Sequence, residues 1–445
     1  MMQTRRFPAD LFAGRRYAVV GLGRNGLPAA QALAGMGAEV FAWDDSPRAR
    51  EEATAAGVAV RDPLRERFRF DALVLSPGIP HHLPRVHPIA HRAIGAGVPV
   101  LSDADLLFQA VRASGSQARF VGITGTNGKS TTTALLAHVL ETANEVVAAG
   151  GNLGPASLAL NLLPDRGVYV LEMSSYMLER IATIRFGAAA MLNLSADHLD
   201  RHGDMAGYAA AKRAIFARQE ADDLAVIGAD DDLSRAMAAW RRTRPGRVVA
   251  VSGDDTFAFP LPESLPGSHN AQNVSAVLAM ARHLGLDDDA VARGVAGFPG
   301  LPHRQQRVAT VDGIAFVNDS KGTNADAAAR ALGCYDRLVW IAGGVAKAGG
   351  IAPLAGYFPR VAHALLIGED APALAGTLAA HGVSHEIVGT LDAAVPAALA
   401  AARRTGAGTV LLSPACASFD QFTGFDARGD HFAALARGLA CRSAA

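Results

Sequence analysis

Residues 122–132 read Gly-Ile-Thr-Gly-Thr-Asn-Gly-Lys-Ser-Thr-Thr. The apolar run 120–123 leads into this turn, and a helix-forming stretch leaves it from 131 to about 141. Strand, glycine turn and helix in that order put unpaired backbone N–H groups and the positive end of a helix dipole at the turn, where an anion binds. Glycines let the backbone close around phosphate oxygens. Lys129 then reaches the β- and γ-phosphates, and the Ser130 hydroxyl is a ligand for Mg2+. The spacing is not a strict Walker A, because Ile123 rather than Gly stands five positions before Gly128. A plain strand–helix turn accounts for the glycines but not for the Lys-Ser pair, so nucleotide binding is the better reading.

On both sides of this turn, short β-rich runs alternate with alanine-rich helical pattern, the signature of parallel sheets built from βαβ units. Before it come strands at 17–20, 39–43 and 72–75, a helix at 27–36, and a polar linker at 112–118. After it come strands at 168–171, 188–192 and 224–227, then two helices flanking 283–288. The Gly- and Pro-rich stretch 297–304, GFPGLPHR, marks a second boundary. A hairpin at 307–311 and 314–317, a helix at 325–332, and strands at 338–342, 364–367 and 409–412 complete the chain. The expectation is an α/β protein of three domains: a Rossmann-like domain at 1–110, a central P-loop domain at 111–300 and a C-terminal domain at 301–445.

Several classes of function are disfavoured. Half of the 445 residues are hydrophobic, yet no apolar run is long enough to cross a bilayer. The opening stretch carries arginines without an apolar segment of the secretory kind. The 42 basic and 42 acidic residues cancel and form no basic block, which gives nucleic-acid binding no electrostatic support. Cys334, Cys416 and Cys441 are too widely spaced for a C-x-x-C pair, which points to a reducing, cytoplasmic setting and no structural zinc.

Other turns carry chemistry. Gly21-Leu-Gly23-Arg24-Asn25-Gly26 follows a strand and opens a helix, with Asp44 18 residues after Gly26 and Asp45 next to it. An NAD(P) fingerprint, a tight structural turn, and a pocket for another pyrophosphate such as a UDP-sugar all fit this motif. Glu172 ends an apolar strand, where a carboxylate can hold Mg2+ on a phosphate. Asn193-Leu-Ser-Ala-Asp-His198-Leu-Asp-Arg201-His202 gathers metal- and carboxylate-binding groups at another strand exit. Asn318-Asp319-Ser-Lys321-Gly-Thr323-Asn324 does the same before a helix; a helix N-cap explains Thr323 or Asn324 but does not require Asp319 and Lys321. In Ser413-Pro-Ala-Cys-Ala-Ser418-Phe-Asp-Gln-Phe422, Cys416 reads as a small buried residue, since no base adjoins it. His81, His82, His87 and His91 lie close together, but no Cys or acid joins them, and prolines at 80, 84 and 88 break the helix that a zinc pair needs.

Taken in order, GLGRNG, SPGIP, GITGTNGKST, GGNLG, LEMSSYMLE, NLSADHLDRH, YAAAKRAIF, GSHNAQN, GLPHR, NDSKGTN and SPACASFDQF resemble the motifs of the Mur ligase family over nearly the whole chain. The last of these resembles the glutamate-adding branch. The resemblance implies a UDP-substrate domain, a central ATPase and a C-terminal Rossmann-like domain for the amino acid. It implies ATP- and Mg2+-dependent addition of D-glutamate to UDP-N-acetylmuramoyl-L-alanine through an acyl phosphate, in cytoplasmic peptidoglycan precursor synthesis, by a monomer with small-molecule substrates. Residue types alone do not separate D- from L-glutamate.

By the same resemblance, Gly125, Thr126, Asn127, Gly128, Lys129, Ser130, Thr131, Asn270, Asn273, Arg304 and Asp319 face ATP. Gly23, Arg24, Asn25, Gly26, Asp44, Asp45, Ser76, Gly78 and Asn152 face the UDP-linked substrate, which turns GLGRNG away from NAD. Thr323, Lys347, Ser418 and Phe425 grip glutamate, a dianion that calls for opposing cations or dipoles. Ser130 and Glu172 hold one Mg2+ and His198 a second, to which Lys212 contributes once carbamylated. Three positions depart from the family pattern: Met177 in place of Gln, Gly322 in place of Ala, and the looser GGVAKAGG around Lys347. The rival readings are a sister ligase with another acceptor, a non-catalytic P-loop regulator and a nicotinamide dehydrogenase. The absence of a DNPR motif counts against a diamino-acid ligase, and Glu172, His198, Lys212 and Asp319 count against a regulator.

Overall fold

The computed structural model describes residues 5–347 and 349–443; residues 1–4 of the opening stretch and Ala348 in GGVAKAGG lie outside the described residues. Compactness divides the chain into two units, one holding the residues up to Pro260 with Ala271–Gly297, the other Leu261–Asn270 with the residues from Phe298 on.

The first unit contains two parallel sheets. Strands β1 (Arg16–Val20), β2 (Glu39–Trp43), β3 (Ala72–Leu75) and β4 (Val100–Leu101) are ordered β2-β1-β3-β4. Strands β5 (Arg119–Thr124), β6 (Val147–Gly151), β7 (Val168–Glu172), β8 (Ala188–Met191), β9 (Leu224–Gly228) and β10 (Arg247–Val251) are ordered β10-β9-β8-β5-β7-β6, all parallel. From β5 the chain passes to the edge strand β6, returns to β7 beside β5, and then crosses to the other side through β8, β9 and β10. That reversal opens a crevice beyond the carboxyl end of β5, the place where open α/β sheets bind ligands. β1 and β3 make the corresponding switch in the smaller sheet. The inner strands are apolar on both faces because helices cover both sides, and β7 and β8 are buried at every position.

The second unit holds β11 (Gln306–Val311), β12 (Ile314–Asn318), β13 (Leu338–Gly343), β14 (Val345–Ala346), β15 (Val361–Ile367), β16 (His385–Gly389), β17 (Thr409–Leu412) and β18 (Cys416–Ala417). Its sheet is ordered β11-β12-β17-β13-β15-β16; only the β11–β12 hairpin is antiparallel, and β14 pairs with β18 outside the sheet. Trp340, fully buried at its centre, donates its indole N–H to Ser413 O at 2.8 Å.

Most expected elements stand within a residue or two of their positions. The 112–118 linker is shorter than read: helix Asp103–Ala113 runs into it, and buried Ser116 donates to Leu163 O at 2.8 Å. Pro88 does not break a helix but begins one, Pro88–Gly95, with His87 as its N-cap accepting from Ile89 N. Proline suits a first helical position, where its missing N–H costs nothing.

Candidate functional site

The turn after β5 is shaped by glycines that nothing else replaces. Gly128 has φ +84°, and a Cβ there would stand 2.5 Å from Asn273 Oδ1 and 3.0 Å from Leu192 Cδ1. The segment after β8 grips the turn. Asn193 O accepts from Thr126 N at 3.0 Å, Asn193 Oδ1 accepts from Asn127 N at 2.8 Å, and Asn193 Nδ2 returns a bond to Asn127 O at 3.1 Å. Helix Lys129–Thr142 starts at once, with Ser130 buried in its first turn and Thr131 beside it. Lys129 Nζ folds back on the turn, donating to Gly125 O at 2.9 Å and Thr126 O at 2.8 Å.

Two buried ionisable groups adjoin this turn. Glu172, at the end of β7, is 1% exposed. Its Oε1 accepts from Asn152 Nδ2 at 2.6 Å, while its Oε2 has no hydrogen-bond partner among the described residues. A buried carboxylate oxygen left unpaired is costly and calls for a cation or donor supplied from outside. Lys212, on helix Met205–Arg213, donates to Gly125 O at 2.8 Å and Thr124 Oγ1 at 3.3 Å. Burial, and then the charge of Lys129, push its pKa well below the ordinary lysine value, which favours the neutral amine.

The acidic-basic cluster divides. His198 takes a left-handed backbone conformation, φ +53°, and sets Nδ1 2.9 Å from Tyr176 Oη and Nε2 3.4 Å from Asp197 Oδ2. Arg201 and His202 turn inward instead, onto Glu179, at 3.1 and 2.9 Å.

In the smaller sheet, the turns after β1 and β3 press together. A Cβ on Gly21 would come within 2.5 Å of Ser76 Cβ and 2.7 Å of Ile79 Cδ1, whereas at Gly23 and Gly78 it would meet nothing within 4 Å. Asp44 spends both carboxylate oxygens on this frame, accepting from Leu22 N at 2.6 Å and Ser46 N at 2.8 Å. Exposed Asp45 lies 3.1 Å from His87 Nε2. Asn25 is the N-cap position of helix Gly26–Gly35, and Arg24 donates to Gly154 O at 3.0 Å, beside the turn that carries Asn152.

The remaining residues belong to the second unit. Asn270 donates to Pro266 O at 2.8 Å, on the same helix as Asn273. Asp319, at the exit of β12, is buried and accepts from Ser413 Oγ at 2.7 Å and Gln305 N at 3.2 Å. Burial raises its pKa to about 7, against the lowering effects of Ser413 and Arg304. Gly322 is explained here, because a Cβ would stand 2.7 Å from Asp319 Oδ2 and 2.8 Å from Ser413 Oγ. Lys321 Nζ lies 3.7 Å from the centre of the Phe425 ring. Ser418 is buried, Thr323 half-buried and Lys347 exposed. Cys416 is buried, and burial pushes its thiol up to about 12, which suits packing and not nucleophilic attack.

Sequence reading passed over Arg428. It is buried in helix Phe425–Ser443 and donates to Ser320 Oγ and Ser320 O, both at 3.0 Å, and to Cys416 O at 3.1 Å, tying two motif turns together. An arginine four residues before Phe432, on the helix's buried face, was the available signal. Of six non-glycine residues with positive φ among the described residues, His198, His303 and Ala415 lie in motif turns and Gln305 directly follows one.

Known proteins resemble this chain in sequence and in fold. Residues 123–260 match the Mur ligase middle domain, and 303–416 match the Mur ligase glutamate ligase domain. A UDP-N-acetylmuramoylalanine–D-glutamate ligase of Paramagnetospirillum magneticum is 48% identical, over 96% of this chain and 97% of its own. The ligases of the same name from Rhodospirillum rubrum and Caulobacter vibrioides are each 45% identical, covering 98% and 97% of this chain and 98% of their own. Two solved Thermotoga maritima structures share the fold: UDP-N-acetylmuramate–alanine ligase MurC, with a TM-score of 0.58 at 18% identity over 95% of this chain and 99% of its own, and a MurF ligase in complex with ADP, with 0.58 at 16% identity over 99% and 98%. With this degree of identity along nearly its full length, the chain belongs to the Mur ligase family.

Proposed function

We propose that the protein is an ATP-dependent ligase that joins D-glutamate to UDP-N-acetylmuramoyl-L-alanine in peptidoglycan precursor synthesis. The carboxylate of the UDP-linked substrate attacks the γ-phosphorus of ATP, and ADP leaves. The glutamate amine then attacks the acyl phosphate carbonyl, phosphate departs, and the amide forms. The observation that carries this reading is the grouping, at the carboxyl ends of β5 and β7, of a glycine turn, a buried carboxylate with one oxygen unpaired and a lysine held toward its neutral form. The names of relatives 43–48% identical over nearly the whole chain supply the acceptor and its D configuration.

In this reading 1–110 takes the UDP-substrate, 111–300 takes ATP and 301–445 takes glutamate. Gly125 to Thr131, with Asn270, Asn273, Arg304 and Asp319, serve ATP. The turns at Gly23 to Gly26, Asp44, Asp45, Ser76, Gly78 and Asn152 serve the UDP-linked substrate. Asp44 does so as a brace, since its oxygens are taken by backbone N–H groups. Thr323, Lys347, Ser418 and Phe425 hold glutamate.

Ser130 and Glu172 fit one Mg2+, which prefers hard oxygen donors and few protein ligands, and the unpaired Glu172 oxygen is the observation in its favour; His198, a nitrogen donor, would serve a second. Bound there, Mg2+ would neutralise phosphate charge. Lys212 fits carbamylation, because only a neutral amine attacks CO2 and the resulting carbamate offers oxygens where an ammonium offers none. In this reading the enzyme acts in the cytoplasm as a monomer; among the described residues no helix is long and apolar enough to cross a membrane.

The test is incubation with ATP, Mg2+ and UDP-N-acetylmuramoyl-L-alanine, with D- or L-glutamate in parallel, reading phosphate and product mass. One added glutamyl residue for the D isomer alone supports the assignment. Product only with other amino acids or dipeptides moves the protein to a sister ligase, and ATP binding without any product favours a non-catalytic role.

A further inference from the structure

One buried guanidinium in the first unit is spent almost wholly on a single turn. Arg180 follows helix Ser175–Leu178 in the larger sheet's half of the unit, eight residues after Glu172, and is 2% exposed. Its side chain crosses to the smaller sheet's half and donates to Leu75 O at 2.9 Å, Ser76 O at 3.0 Å and Ile79 O. Its Nε donates to His81 Nδ1 at 3.1 Å, while its own carbonyl accepts from Ser102 N at 2.9 Å. All these side-chain acceptors lie between Leu75 and His81, in the turn that carries Ser76 and Gly78.

Behind Arg180 the network reaches the other motif. Arg201 NH2 lies 3.3 Å from the same His81 Nδ1 and pairs with Glu179, and Glu179 pairs in turn with His202. His81 serves as the shared acceptor in its neutral form, burial and the two arginines pushing its pKa down to about 3. Besides Arg180, the turn is held by Ser76 N donating to Val20 O, by Ile79 N donating to Ser76 O, and by the close approach of Gly21 to Ser76 and Ile79, while the space beside Gly78 is open among the described residues.

A planar fork of donors orients several carbonyls at once, which a lysine's single ammonium cannot do. Any shift of Arg180 is therefore a shift of the Ser76–Ile79 turn. We propose that Arg180 is a positioning residue for the UDP-linked substrate, holding this turn in its binding geometry and tying it to the segment that leads from Glu172 to the Asp197–His202 cluster. The inference rests on the reading of Ser76 and Gly78 as substrate contacts. It predicts an effect on one substrate alone, which a merely structural residue would not have.

Full-length Arg180→Met, Arg180→Lys and Ser76→Ala are compared with the parent protein by equilibrium binding of UDP-N-acetylmuramoyl-L-alanine and of a non-hydrolysable ATP analogue, well below the melting temperature. Arg180→Met should weaken UDP-substrate binding by roughly 10- to 100-fold, the range for a lost charge-assisted contact, and leave the ATP analogue within about twofold. Arg180→Lys should recover part of that loss. In steady state the change should appear in the KM for the UDP-substrate and not in that for ATP. If Arg180→Met does not fold, the same one-ligand loss in Arg180→Lys, of roughly 3- to 10-fold, decides the matter. Equal weakening of both ligands, or of neither, overturns the proposal. Ser76→Ala separates the two levels: if it and the Arg180 variants all bind like the parent, the turn is not the substrate's and both readings fall. If it binds weakly while the Arg180 variants bind normally, only the role of Arg180 falls.

Discussion

Replacing Gly128 by alanine tests the phosphate-binding reading of the turn at its narrowest point. Two costs are visible. At φ +84° an alanine sits in the left-handed region, at a cost of about 1–2 kcal/mol. Its Cβ would also stand 2.5 Å from Asn273 Oδ1, almost 1 Å inside ordinary contact, and Asn273 is itself buried. Forcing a group into packed surroundings costs about 1–3 kcal/mol more. The turn can relieve the contact only by moving away from Asn273, which opens the cradle. Gly115→Ala is the control, because its φ of +82° brings the same strain while its Cβ meets nothing within 4 Å. Calorimetric titration with a non-hydrolysable ATP analogue, alongside thermal unfolding, reads both effects. Gly115→Ala should melt a few degrees lower, and Gly128→Ala lower still because it also bears the contact cost. Only Gly128→Ala should lose affinity, by about tenfold or more. Binding within twofold of the parent would show that the nucleotide does not use this turn, and would refute the reasoning.

Glu172→Gln keeps an acceptor for Asn152 and removes a buried charge with an unpaired oxygen, so stability should stay within about 1 kcal/mol while kcat falls by roughly 100-fold or more. A large drop in melting temperature with activity retained would make Glu172 structural. Lys212→Met fills the same space without an amine, so it should fold at least as well as the parent and be inactive. Activity of the parent after exhaustive removal of CO2 should fall and return with bicarbonate, and indifference to CO2 rules out the carbamate. Asp319 has its folded pKa raised from 3.8 to about 7, so the native state binds the extra proton and stability declines as pH rises from about 4 to 7, by up to roughly 4 kcal/mol. Asp319→Asn should abolish that decline; denaturant melts of both proteins at pH 5 and pH 8 decide, and parallel pH profiles count against it.

Sequence pattern located the strands of the sheets' centres because strands buried on both faces, such as β7 and β8, are continuous apolar runs. It missed β6, whose Val-Ala-Ala-Gly-Gly has no β-branched or aromatic residue after the first, and the edge strands β10 and β16, which are partly exposed. Among the candidate site residues, those announced by glycine turns were legible because the backbone geometry needs glycine there. Arg180 and Arg428 were not, since they are held largely by main-chain carbonyls distant in sequence, 101 or more residues away for Arg180 and 85 and 108 residues away for Gly343 O and Ser320 O at Arg428, and carbonyl oxygens leave no mark in a sequence. Nor could the pattern reveal that Asp44 gives its oxygens to backbone, because the same acidic residue after β2 would serve a ribose equally well.

The same electrostatics that disfavour an ammonium at Lys212 favour what the proposed chemistry needs there. Lys129 and Lys212 both donate to the carbonyl of Gly125, and the charge of Lys129 acts with burial to hold Lys212 toward the neutral amine. A neutral amine is the form that takes up CO2. Once carbamylated, the group carries a negative charge, and the neighbouring Lys129 that opposed the ammonium then stabilises the anion. Asp197, and then Glu172, work in the other direction: both favour an ammonium at Lys212 and oppose a carbamate. A second carboxyl-type anion so near Glu172 is tolerable only with a cation between or beside them, which is why the carbamate and the Mg2+ belong to one reading. Nucleotide binding that draws Lys129 off the Gly125 carbonyl toward phosphate would weaken its hold on the carbamate, and leave the metal as the group that retains it. Loss of Mg2+ should therefore release CO2 from Lys212 faster with ATP present than without it.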